Sequence, residues 1–123
     1  MKLVSFPSPA EDYLNESLDF NRDLIKNPEA TFYGRVEGDA MTEAGISEGD
    51  IVVIDRSIEA EHGDVVVAYI DKEFTLKFLD LTHQKEGWIE LRPANKAITP
   101  VRIDEDDHFS VWGVVVYTIK KWK

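Results

Sequence analysis

Two short β-branched runs, Ile51-Val52-Val53-Ile54 and Val65-Val66-Val67-Ala68-Tyr69-Ile70, each follow a Gly-Asp pair, Gly49-Asp50 and Gly63-Asp64. Apolar runs of this length, bounded by turn residues, are strand signals, and beyond Pro28 no 3.6-residue apolar period competes with them. Thr31-Phe32-Tyr33-Gly34-Arg35-Val36 reads as a further strand ahead of the Gly38-Asp39 turn. Asp71-Lys72 links the second run to a strand over 73–81 as a tight hairpin. Trp88–Arg92 and Phe109–Ile119 bring the total to about six or seven strands. Val114-Val115-Val116, an uninterrupted apolar run, predicts burial on both faces. Gly34, Gly38, Gly45 and Gly49 form neither a Walker loop nor a dinucleotide fingerprint, and all four are read as turn residues.

The front of the chain follows a different period. Ser8-Pro9-Ala10-Glu11 is a capping-box arrangement, with proline at the first helical position. Ala10, Tyr13, Leu14, Leu18, Phe20, Leu24 and Ile25 recur at helical spacing behind it, and Asn27-Pro28 supplies the stop. The expected fold is therefore mainly β, mostly antiparallel, with one amphipathic helix over 9–26. A length of 123 residues suits one domain with a real core.

Composition narrows the function classes. Twenty-four acidic side chains against 14 basic ones give a formal charge of −10, which argues against a direct grip on nucleic-acid phosphates. The absence of cysteine excludes disulfides and thiolate chemistry and fits a reducing compartment. No apolar run approaches the length of a membrane span. His62, His83 and His108 lie far apart, and Asp104-Glu105-Asp106-Asp107 lacks the glycine and spacing of a calcium loop, so no metal site is expected. No serine sits in a nucleophile-elbow context with a histidine partner. By pattern alone, Glu73–Leu79 is a strand with Phe74, Leu76 and Phe78 on its buried face and Lys77 facing solvent.

Four segments taken together change that reading. They are Phe6-Pro7-Ser8-Pro9-Ala10-Glu11-Asp12-Tyr13, the block from Gly38-Asp39-Ala40-Met41 through Gly49-Asp50, His62-Gly63-Asp64-Val65-Val66-Val67-Ala68, and Glu73-Phe74-Thr75-Leu76-Lys77. In this order they resemble the UmuD proteins, small LexA-like self-cleaving serine peptidases of the SOS response. The resemblance runs from about Phe6 to the Val111–Val115 strand. It implies a LexA/signal-peptidase-like β-fold over 9–123, preceded by an arm remnant over 1–8.

The resemblance also implies a Ser-Lys dyad, with Lys77 at the position of the general base. The nucleophile's position falls on Ala40, where the family carries serine. A methyl group has no lone pair with which to attack a carbonyl, so the chain as written is expected to be inert. The backbone amides of Asp39 and Ala40 would form the oxyanion hole. Two origins for Ala40 stand open, an engineered exchange or a natural loss of peptidase activity, and the intact remainder of the motifs favours the former. The family cuts its own arm just ahead of the Phe-Pro-Ser-Pro segment, a place occupied here by Val4-Ser5. The partners implied are a second copy of the chain, a UmuC-type Y-family polymerase and a RecA filament on single-stranded DNA, in the cytoplasm and without a cofactor. Trp112 and Tyr117 are candidates for a dimer face and equally for the core. The alternative is a non-enzymatic dimerisation module of a LexA- or phage-repressor-type regulator. A signal-peptidase relative would normally need a membrane anchor.

Overall fold

A computed structural model describes residues 17–123. Its strands are β1 (Thr31–Arg35), β2 (Ile51–Asp55), β3 (Val65–Ile70), β4 (Glu73–Asp80), β5 (Trp88–Arg92), β6 (Val101–Asp104) and β7 (Phe109–Ile119). They form one seven-stranded sheet in the order β1-β2-β7-β3-β4-β5-β6. Every pairing is antiparallel. The long last strand joins the two halves: its first part pairs with β3 and its second with β2, and Val114 lies opposite both Val66 and Asp55. Among the described residues no helix is long and apolar enough to cross a membrane.

The two Gly-Asp pairs that precede strands form the same turn. In each, glycine is left-handed, with φ of 89° at Gly49 and 88° at Gly63. The aspartate N–H donates to the carbonyl three residues earlier, and its carboxylate accepts the N–H of that residue, Ser47 for Asp50 and Glu61 for Asp64. Asp107 closes the β6–β7 turn in the same way against Asp104. The acidic run is thus a hairpin turn, and short side chains that bond their own backbone are the reason acids concentrate there.

Asp71 and Lys72 make the two-residue hairpin between β3 and β4, with φ of 49° and 68°. Both central residues left-handed is the arrangement whose twist matches the flanking strands, and it favours glycine at the second position. Lys72→Gly is therefore expected to raise stability by roughly 0.5 kcal/mol, and Lys72→Ile to lower it by about 1 kcal/mol. A shift of the urea midpoint in opposite directions at unchanged slope is the measurement.

The core has two centres. Val66, Ala68, Leu79, Leu91, Ile103 and Val114 form one. Val36, Met41, Ile46, Val52 and Ile54 form the other, with Ala40, Leu76, Phe78 and Val115 packed against it. The second centre is where the loop over 36–50 seats on the sheet.

Several expectations are corrected. The part of the proposed helix over 9–16 lies outside the described residues, as do the arm and Val4-Ser5. Within its described part, 17–26, only Phe20–Asp23 is α-helical. Asp19, in extended geometry, accepts N–H bonds from Asn21 and Arg22 and caps the turn that begins at Phe20, and residues 17–19 are not helical. Leu18 and Phe20 are exposed, and an isolated turn without tertiary burial does not propagate. Gly34 is no turn residue but lies within β1 against Val52 and Ile54. Val116 and Phe74 are exposed rather than buried. β6 was not anticipated: only Ile103 of its four residues is buried, and Pro100 and the acidic turn flank it.

Candidate active site

The loop over 36–50 is closed at its base by two backbone bonds, Val36 N–H to the Asp50 carbonyl at 2.9 Å and Gly49 N–H to the Val36 carbonyl at 2.8 Å. Met41 and Ile46 anchor it from within, only 2% and 6% exposed. Between them a 3-10 turn over Thr42–Ala44 ends on left-handed Gly45. At the exit of the loop the buried Asp50 carboxylate accepts the Ser47 N–H and pairs with the Lys120 ammonium beyond β7. Lys120 first, and Ser47 second, hold the Asp50 carboxyl below the usual carboxylate range. Ala40, immediately before the Met41 anchor, is thereby seated against the second core centre.

Lys77 stands on β4 directly opposite Val66, which is completely buried. Thr75, two residues earlier, projects to the same side of the strand, and the Lys77 Nζ donates to its hydroxyl at 2.6 Å. The strand pattern alone implies a solvent-facing Lys77; the structure corrects this, because Lys77 is half-buried. Burial pushes its pKa below the ordinary 10.5, because desolvation disfavours the ammonium.

A pocket of about 460 Å³ brings the two positions together: Ala40, Met41, Thr75, Leu76 and Lys77 all line it, with Trp112 at its side. Asp39 is exposed and outside that lining; its carbonyl accepts the Thr42 N–H. Thr75 enters the sequence analysis only as a member of the Glu73–Lys77 segment, and its contact with Lys77 follows from the two-residue period of a strand. The histidines are dispersed. His62 accepts the Leu81 N–H, while His83 stacks on Trp88 and contacts Glu86. Trp112 is half-buried beneath the Arg56 guanidinium, and Tyr117 is partly exposed along a groove with Phe20 and Leu24.

A lysine whose folded pKa lies below its unfolded value opposes folding at every pH below the folded pKa. That opposition fades as pH rises from there towards 10.5. Lys77→Met, uncharged and of similar length, is therefore expected to melt a few degrees higher at pH 7, with the advantage gone above about pH 10.5. An equal difference at both pH values would contradict the burial of the charge.

Comparison with known proteins assigns the chain to a family. The Peptidase S24-like family model matches residues 3–116. Protein ImpA of Salmonella typhimurium is 39% identical over 121 residues, covering 96% of this chain and 78% of its own. Protein SamA of the same species is 41% identical over 118 residues, covering 96% and 79%. The LexA repressor of Syntrophotalea carbinolica is 42% identical over 92 residues, 75% of this chain and 44% of that repressor. The chain belongs to the S24 peptidase family and is a UmuD-like member of it.

Proposed function

We propose that this UmuD-like protein serves SOS mutagenesis as the accessory subunit of a UmuC-type Y-family translesion polymerase, acting as a cytoplasmic homodimer. In this reading its pocket is a Ser-Lys peptidase site blocked at the nucleophile. Lys77 is the general base. In a serine-bearing relative the neutral amine would take the proton from the hydroxyl as its oxygen attacks the scissile carbonyl. The amides of residues 39 and 40 would receive the developing oxyanion. With a methyl group at position 40 the first step has no electron pair to begin it, so binding roles remain and hydrolysis does not. The arm bond would be Val4-Ser5, and the stimulus a RecA filament on single-stranded DNA.

The observation that carries the reading is the shared pocket of Ala40 and the half-buried Lys77. The formal charge of −10 supports contact with proteins rather than with DNA. The likeness to ImpA and SamA spans 96% of the chain, whereas the likeness to a LexA repressor spans 75%, which favours the accessory subunit over a repressor's dimerisation module. Co-expression with the organism's Y-family polymerase is the test. Co-elution of the two supports the proposal; a chain that ignores the polymerase and instead retains an operator-binding regulator overturns it.

A further inference from the structure

Position 40 is held from a second direction. The turn over 93–98, between β5 and β6, reaches across to it, and the Asn95 N–H donates to the Ala40 carbonyl at 2.9 Å. Asn95 is itself constrained: its side-chain oxygen accepts the Ala97 N–H at 2.9 Å, and its carbonyl accepts the Ile98 N–H at 3.1 Å. Ala94, just before it, packs against the same core centre that buries Met41.

These contacts act on one peptide plane. The 40–41 peptide group has its carbonyl fixed by Asn95 and its far end fixed by the buried Met41 side chain. The Asn95 bond pins the backbone of residue 40 to the 93–98 turn, and a displacement of that backbone is what would carry the Cβ of residue 40 away from the pocket it shares with Lys77. A donor from the sequence-distant 93–98 turn, rather than from the 36–50 loop itself, ties the loop to the sheet at the residue where orientation matters.

We infer that Asn95 is a positioning residue for position 40: its amide holds the 40–41 peptide plane, and its side-chain bond to Ala97 holds the amide in place. The structural part stands by itself, and its consequence for hydrolysis rests on the dyad reading above. Asn95→Asp keeps the acceptor for the Ala97 N–H, whereas Asn95→Ala deletes it.

The test has two arms. In the chain as it stands, amide exchange at residue 95 should quicken about 10-fold in Asn95→Ala and stay within about 3-fold in Asn95→Asp, because the bond to the Ala40 carbonyl is what protects it. In the Ala40→Ser chain carrying an upstream arm, Asn95→Ala should slow cleavage about 10- to 100-fold, since small misplacement of a nucleophile has that effect. The midpoint of the pH profile, set by Lys77, should not move, and Asn95→Asp should restore the rate to within about 3-fold. Unchanged exchange in Asn95→Ala overturns the proposal, as does Asn95→Asp losing as much as Asn95→Ala. Should Ala40→Ser cleave nothing with Asn95 intact, the peptidase reading falls, while exchange at residue 95 still decides whether Asn95 holds position 40.

Discussion

Serine at position 40, in a chain extended by its organism's own upstream arm, is expected to release a defined N-terminal fragment, and to do so faster as the pH rises. The increase should follow deprotonation of Lys77 and level off below the ordinary lysine value of 10.5, because burial has lowered that pKa. Nucleophile and base act as one unit, so restoring the missing member should raise the cleavage rate by at least about 10³-fold over the alanine chain. Ala40→Ser combined with Lys77→Ala should be as inert as the alanine chain. Intact mass after incubation at neutral and alkaline pH reads all three. Cleavage by the double variant would remove Lys77 from the mechanism. An unchanged mass of Ala40→Ser at both pH values, with RecA filaments also present, would mean that the pocket is not a latent peptidase.

The largest stability effect is expected at Gly113. It sits in β7 opposite Val67, close to where β7 passes from its β3 partner to its β2 partner. A Cβ there would lie 2.5 Å from the Ile54 Cγ2 and 3.3 Å from the Arg56 Cγ. Ile54 is buried in the second core centre and cannot retreat without disturbing its packing, although the exposed Arg56 can yield. Gly113→Ala should cost about 1–3 kcal/mol by overpacking. For a domain of this size each kcal/mol lowers the melting temperature by roughly 4–8 °C. Ile54→Ala, costly by itself, should cost about 1 kcal/mol less in the Gly113→Ala background than in the parent chain, because it removes the clashing atoms. Strict additivity would show that the clash is relieved elsewhere.

Much of the sheet could be read in advance because its signals are local. β2, β3, β5 and β7 follow from β-branched and aromatic runs, and the turns between them from left-handed glycines and self-bonding aspartates. Where the reading failed, a competing contact decided. Within the described residues, the capping carboxylate of Asp19 starts the helical turn only at Phe20, and Leu18 and Phe20 stay exposed. β6 exists because Leu91 and Ile89 offer it a register opposite Val101 and Ile103, information that four residues do not contain.

The site divides in the same way. Residue identity alone settles that position 40 cannot act as a nucleophile, since that is a matter of a missing lone pair. The sequence also determines that Thr75 and Lys77 share a side of their strand, since a period of two is a property of the backbone. That Lys77 is half-buried, that it shares a pocket with Ala40, and that the Asn95 amide holds the carbonyl of residue 40 were decided only by the tertiary structure. Desolvation and long-range hydrogen bonds depend on what the rest of the chain brings alongside, and strand periodicity by itself would have left Lys77 facing water.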